Sequence, residues 1–375
     1  MACVSRAAII GGGVAGLAAG IALRKAGVEC DLVELVGGAE GASLGLSGRA
    51  AEALADLDIY DECYANGTPW EADTRAASQS DAAGNMISPG PARPNWPGAR
   101  TPVGIYRPKL AEILENKARS LGVNIRIGVS AESITETDAG AVVKFSDGVE
   151  GTYDLVIGAD GIKSRTREMI FPDAPSPRYS GQVSIRWMAP GPKIVEEGWY
   201  NGPLGRVGFY YLPQGMIYVP AVVDMPELRR MTPEEEYAYY VRLLESYTAP
   251  AIVELRRRLT PDAKLIFRPF NWILVPDIWH KGRTLLIGDA AHATTAHMGM
   301  GAGMALEDAV VLGQCIAQAE TLEQAFERFM ARRYERVKTV VETSVAASQL
   351  ELRNAPTAEK MALLATGLKA IAQPY

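Results

Sequence analysis

Hydrophobic and polar positions change rhythm twice along this chain. Up to about residue 175, short unbroken apolar runs alternate with stretches of helical period. Ala7-Ala8-Ile9-Ile10 has the continuous hydrophobicity of a strand buried on both faces. Residues 14–25 repeat small and apolar side chains as a helix, which Gly27 ends. Residues 29–34 read as a second strand. The glycine- and serine-rich stretch 41–47 reads as flexible, and a helix follows over about 48–57. Residues 65–104, rich in Pro, Gly, Ala and Asn, read as loops and short strands. Arg107-Pro108-Lys109-Leu110 opens another helix with Pro108 in its first turn. Residues 123–127 and 141–145 are β-rich, Asp147-Gly148 marks a hairpin turn, and 154–158 is again a buried parallel strand.

Beyond about Pro175 the rhythm becomes one of alternation. Residues 183–187, 206–212 and 216–223 predict an antiparallel sheet, with 265–274 as a further strand. Residues 232–247 predict a helix begun by Thr232-Pro233-Glu234-Glu235, and Arg256-Arg257-Arg258 a solvated helix face. The buried-strand pattern then returns at 284–288. Helices follow to about residue 354, with one more over 358–372. The fold class is therefore α/β: a Rossmann-like nucleotide-binding domain interrupted by a smaller, mostly antiparallel β-sheet domain, with C-terminal helices. We assign residues 1–72, 100–176 and 276–350 to the first domain, 73–99 and 177–275 to the second, and 351–375 to a helical tail.

Composition narrows the class. With 375 residues, 48% hydrophobic and 22% charged, the chain is long enough for two domains and ordinary for a globular protein. A net charge of −6, with both signs mixed along the chain, argues against nucleic-acid binding. No apolar run reaches the length of a membrane span, and the first strand follows Met1 too closely for a signal peptide. Cys3, Cys30, Cys63 and Cys315 form no Cys-x-x-Cys pair, and the histidines are His280, His292 and His297. We expect a cytoplasmic protein with reduced thiols and no metal site.

The chemistry is concentrated at strand ends. Gly11-x-Gly13-x-x-Gly16 joins the first strand to the first helix. Gly11 makes the turn, Gly13 lets backbone approach a pyrophosphate beside Ala15, and Gly16 lets helix and strand pack closely. The helix N-terminus then faces phosphate with unpaired N–H groups. Glu34, closing the second strand, suits ribose hydroxyls. This segment alone fits NAD or FAD equally well. Two further turns discriminate: Asp160-Gly161 after one buried strand, and Gly288-Asp289-Ala290-Ala291-His292 after another, the latter followed by Gly299, Gly301 and Ala302. Carboxylates at the carboxyl ends of parallel strands suit the hydroxyls of a ribitol chain.

These three motifs in this order resemble the flavoprotein aromatic hydroxylases, FAD-dependent monooxygenases of the para-hydroxybenzoate hydroxylase type, over residues 5 to about 345. The resemblance implies that Gly11, Gly13, Ala15, Gly16 and Glu34 hold the adenosine half of FAD. It further implies that Arg107 lies near the pyrophosphate, that Asp160 and Gly161 serve FAD and the nicotinamide, and that Gly288, Asp289, Gly299, Gly301 and Ala302 serve ribitol and ring. The co-substrate is NADH or NADPH, with no separate nucleotide domain for it. A flavin C4a-hydroperoxide would hydroxylate a small electron-rich aromatic or N-heteroaromatic ring, in a monomer or homodimer. The chain departs from the family at Ala296, where proline is usual, and at Met300, where glutamine is usual. Some relatives acting on hydroxylated nitrogen rings carry a histidine at the place of His297.

Candidate substrate groups are Arg186, Tyr211, Ala296 and His297, with His297 and Tyr211 the candidate proton-transfer residues. Each also has a plainer reading: Arg186 as a solvated cation, Tyr210, Tyr211 and Tyr218 as packing, His297 as a polar loop residue, His292 as a loop brace. Competing functions are epoxidation or hydroxylation of a natural-product intermediate on the same fold, a flavin reductase or dehydrogenase that inserts no oxygen, and a non-catalytic FAD-binding protein.

Overall fold

The computed structural model describes residues 3–38, 41–70, 78–90, 96, 98–194 and 197–375. The apolar runs of the first domain become one sheet, whose order across the sheet is His280–Lys281, Thr284–Leu286, Leu155–Gly158, Arg6–Ile10, Glu29–Glu34 and Asn124–Ile127. The inner pairs are all parallel, with Ile9 beside Ile157 and Leu32. Ala7, Ala8, Ile9, Leu155, Val156 and Ile157 have no exposed surface, as continuous apolar runs require. Helix Val14–Lys25 covers one face and meets Gly301–Gln318 so closely that a Cβ at Gly313 would stand 2.9 Å from the Ala22 Cβ.

Several elements of this domain escaped the pattern. Ala131–Thr137 and Glu150–Tyr153 flank Gly140–Phe145 in a three-stranded antiparallel sheet. Their outer faces are polar, so little apolar alternation marked them. The stretch expected to be flexible holds a strand, Ser43–Leu46, paired antiparallel with Val103–Tyr106. Backbone pairing orders it despite its glycines.

The second sheet has the order Leu265–Trp272, Arg178–Pro190, Met216–Asp224, Gly205–Leu212, Gly198–Gly202, Gln79–Ser80 and Met86–Ser88. Segment 78–90 thus joins this sheet; residues 73–77, 91–95 and 97 of the expected boundary lie outside the described residues. Alternation fixes which face goes where. Val183, Ile185, Trp187, Ala189, Val207, Phe209, Ile217, Val219, Ala221 and Val223 pack on the helices Pro233–Glu245 and Pro250–Arg258 through Tyr240, Leu244, Ile252 and Leu255. The first of these helices starts on a capping box: the Thr232 hydroxyl accepts from the Glu235 N–H, and the Glu235 carboxylate accepts from the Thr232 N–H at 2.8 Å. The opposite sheet face looks back at the first domain. Helix Leu322–Leu352, longer than the expected boundary at 350, runs between the two, and Thr357–Ala370 packs against it.

Candidate functional site

Three turns meet at the carboxyl edge of the parallel sheet. Gly11 sits at φ 109°, a conformation other residues rarely adopt, and a Cβ there would run into the Ala159 carbonyl and stand 2.8 Å from the Asp160 N. The first and second turns therefore touch backbone to backbone. Gly288, at φ 57°, would bring a Cβ within 2.8 Å of the Ala15 Cβ, so the third turn touches the first. A Cβ at Gly16 would strike the Gly11 carbonyl oxygen, whereas one at Gly13 would meet nothing within 4 Å. Gly16 is thus needed for packing, while the Gly13 backbone is open.

Exposure traces a cleft away from that junction. Gly13, Arg107, Asp289, Ala296 and Gly299 are exposed, and Asp289 and Gly299 are so although the residues on both sides of them are buried. Asp289 opens the short helix Asp289–His292. Its carboxyl is pushed above the usual range, by burial first and against the opposing pull of His292 and Arg107. A carboxylate that stays accessible inside such a cleft can accept hydrogen bonds from a polyol. At the far end, Glu34 accepts from the Gly12 N–H at 2.6 Å and the Val36 N–H at 3.0 Å. Leu35, Val36 and Ile127 are exposed apolar residues beside it, 62%, 70% and 47% accessible, a surface suited to a flat base. The sequence pattern gave no signal for that surface. A dinucleotide fits these features: backbone open at a helix N-terminus, carboxylates at both ends, and a cleft between.

Asp160 has another task. Its carboxylate accepts from the Ser164 hydroxyl (2.5 Å), the Thr166 N–H (2.9 Å) and the Thr166 hydroxyl (3.0 Å), capping helix Arg165–Ile170. Gly161, next in this turn, sits at φ 77°. Gly301 and Ala302 begin helix Gly301–Gln318. Met300, in the place of the family's glutamine, is buried and receives the Ser47 hydroxyl on sulfur.

The inner face of the second sheet carries the aromatic residues. Tyr210 and Tyr218 stack at 6.1 Å, Trp199 meets Tyr210 edge-on at 6.1 Å, and Trp70 lies 5.9 Å from Tyr210. Trp70 rests on Gly45 and Gly104, where a Cβ would fall 2.5 Å and 2.9 Å from its ring. These four side chains are all partly accessible, so they form a wall rather than a core. Burial raises the phenol pKa of both Tyr210 and Tyr218; the Arg206 charge opposes this at Tyr210, as does the Arg186 charge at Tyr218. Arg186 shares this face with Ser184, whose hydroxyl it approaches at 3.4 Å, and no carboxylate pairs with it among the described residues. Tyr211 is turned the other way. By strand alternation it packs on the helix side, and its hydroxyl accepts from the Ile194 N–H at 2.9 Å. The tyrosines on the cleft side are Tyr210 and Tyr218.

His297 is enclosed. Its side chain is 1% exposed, its Nδ1 lies 2.9 Å from the Thr295 hydroxyl, and its Nε2 lies 3.1 Å from Glu351. Burial lowers its pKa, with Glu351 opposing. Glu351 also pairs with Lys360 at 2.8 Å and Arg206 at 3.1 Å, and accepts from Gln182 at 3.2 Å. Burial alone would raise the Glu351 pKa; Arg206, His297 and Lys360 together hold it well below the carboxylate range. The ring of His297 therefore braces the loop against the C-terminal helices. Ala296, beside it, is exposed, as is Gly299 further along the loop.

Comparison with known proteins agrees with this geometry. A family model described as an FAD binding domain matches residues 5–344. The chain is 33% identical over 327 residues to the 2-heptyl-3-hydroxy-4(1H)-quinolone synthase of Pseudomonas aeruginosa, covering 84% of this chain and 82% of that one. It is 28% identical to the FAD-dependent urate hydroxylase of Klebsiella pneumoniae, covering 90% and 88%. The solved structure of Klebsiella pneumoniae HpxO with FAD and uric acid superposes with a TM-score of 0.79 at 25% identity, covering 99% and 93%. No described helix is long and apolar enough to cross a membrane. A match across nearly the whole chain, with three glycine turns meeting on one cleft, means that this protein belongs to the FAD-binding family of aromatic monooxygenases and is an FAD-dependent enzyme of that type.

Proposed function

We propose that this enzyme takes reducing equivalents from NADH or NADPH and inserts one atom of dioxygen into a planar, electron-rich aromatic or N-heteroaromatic substrate. The aromatic wall of Trp70, Trp199, Tyr210 and Tyr218 carries this reading, because it faces the cleft from the sheet side and offers flat, apolar contact to a ring. The names of the quinolone synthase and the urate hydroxylase, both N-heterocycle enzymes, support the same class.

FAD, when bound, would supply the oxygen chemistry. The chain's own residues bind, orient and enclose. Gly11, Gly13, Ala15 and Gly16 would receive the pyrophosphate at the helix N-terminus, with Arg107 supplying charge across the cleft. Glu34 would hold the ribose, Asp289 the ribitol, and the N-terminus of helix Gly301–Gln318, with Gly299, Gly301 and Ala302, would sit beside the ring. Arg186 would meet an anionic or carbonyl oxygen of the substrate. Tyr210 and Tyr218, kept protonated, would donate hydrogen bonds to a ring oxygen rather than remove its proton.

The test is substrate-stimulated NAD(P)H oxidation across hydroxylated benzoates, pyridines, quinolones and purines, run under labelled dioxygen. One labelled oxygen atom in the product is expected. NAD(P)H oxidation that yields only hydrogen peroxide with every compound, or that proceeds without dioxygen, would favour a reductase instead.

A further inference from the structure

Beneath the third turn lies a group of ionised side chains that the proposed chemistry does not use. Glu307, Asp308 and Arg333 are all fully buried. Arg333 donates to Asp308 at 2.8 Å and to Glu307 at 2.6 Å, and Arg336 donates to Glu307 at 2.6 Å. Asp308 has a second side. Its other oxygen accepts from the Gly288 N–H at 2.9 Å and lies 2.6 Å from the His292 Nε2. Gly288 and His292 bracket the short helix that begins with Asp289. Arg167, also buried, donates to the Ala290 carbonyl at 2.8 Å from the opposite side, and to the Ile162 carbonyl at 2.9 Å. The helix is thus held at the N–H of the residue that precedes it, at a carbonyl in its middle and at its last side chain.

A buried ion network of this kind contributes little net stability, because desolvation offsets most of its attraction. Its remaining product is geometry. One helical turn of four residues cannot hold its own shape, and its leading carboxylate stands in the cleft.

We infer that Asp308 is a positioning residue for the cofactor: by gripping the Gly288 N–H and the His292 ring together, it sets where the Asp289 carboxylate meets the ribitol of FAD, with Arg333 as its fixed support. The inference rests on the proposed placement of ribitol at Asp289. His292 is then a brace and not a proton-transfer group. Burial alone would raise the Asp308 pKa, but His292 and Arg333 keep it lowered, so it grips as a carboxylate.

ADP carries the half of FAD that meets Gly11–Gly16 and Glu34 and lacks the half that meets Asp289, so the two ligands separate positioning from folding. Binding of FAD and of ADP to the full chain is measured by calorimetry for the wild type, Asp308→Asn, the double variant Asp308→Ala/Arg333→Met, and Asp289→Ala. The double variant removes both charges together and so avoids leaving one buried alone. Asp308→Asn and the double variant are expected to weaken FAD by about tenfold or more while ADP stays within about twofold of wild type. Equal weakening of both ligands would mean a merely structural role, and unchanged FAD affinity no role; either overturns the inference. The Asp289→Ala arm separates the two levels. If it leaves FAD affinity unchanged, the ribitol placement falls and takes the inference with it. If it weakens FAD while the Asp308 variants do not, the inference alone falls.

Discussion

At the scale of single residues, Asp289 and Trp70 are the sharpest points. Asp289 is raised by burial, so in the flavin-free chain its ionisation works against folding as pH climbs from the ordinary 3.8 through its raised value. Asp289→Asn is therefore expected to leave the flavin-free chain at least as stable as wild type at pH 7, by urea unfolding. The same change removes a charged acceptor and weakens FAD by roughly 10- to 100-fold, the worth of one charge-assisted hydrogen bond. A less stable flavin-free variant would contradict the account of the shift. Trp70→Ala takes away one ring of the aromatic wall. It is expected to raise the KM for the best ring substrate about tenfold, with FAD affinity unchanged. Loss of FAD would show that Trp70 serves the cofactor side of the cleft instead.

At the scale of elements, the junction of strands Arg178–Pro190 and Gly205–Leu212 with the two C-terminal helices runs through Glu351. Its depressed pKa contributes stability above the usual 4.5 that is lost as pH falls through the lower folded value. His297 adds to the same trend: its lowered pKa means that the fold favours the neutral ring, and stability falls as pH drops from 6.5 toward the folded value. Urea midpoints between about pH 5 and pH 2 should fall more steeply for wild type than for Glu351→Gln. Parallel curves would show that this cluster is not the acid-sensitive joint. Helix Pro233–Glu245 gives a control far from the cleft. Thr232→Ala should lower stability by about 1 kcal/mol through its capping box and leave FAD and substrate parameters alone. The sequence announced this helix, the buried strands and the three turns, because local rules dictate them: a cap, an unbroken apolar run, a glycine at positive φ. Strand Gly198–Gly202 and the pairing at Ser43–Leu46 were silent, since their order comes from neighbours distant in the chain.

For the whole molecule, the glycine turns were readable and the directions of side chains on the second sheet were not. Gly11, Gly16 and Gly288 sit where their types demand, at contacts that leave no room for a Cβ. Which tyrosine of the pair 210 and 211 faces the cleft depends on strand register, and a shift of one residue reverses the answer. His297 looked like a cleft residue by its place after the third motif. Its partner Glu351 lies on a helix distant in the chain, which no local pattern reveals. The account as a whole stands on one extended FAD bridging all three turns, with its ring beneath the sheet that carries Trp199, Tyr210 and Tyr218. A crystal structure of the chain grown with FAD tests this directly. It should show adenosine against Glu34 and the Gly11–Gly16 turn, the ribitol hydroxyls on Asp289, and the ring between the Gly299–Ala302 segment and the aromatic wall. Density that places the ring outside that space, or leaves Asp289 without a ribitol contact, would contradict it.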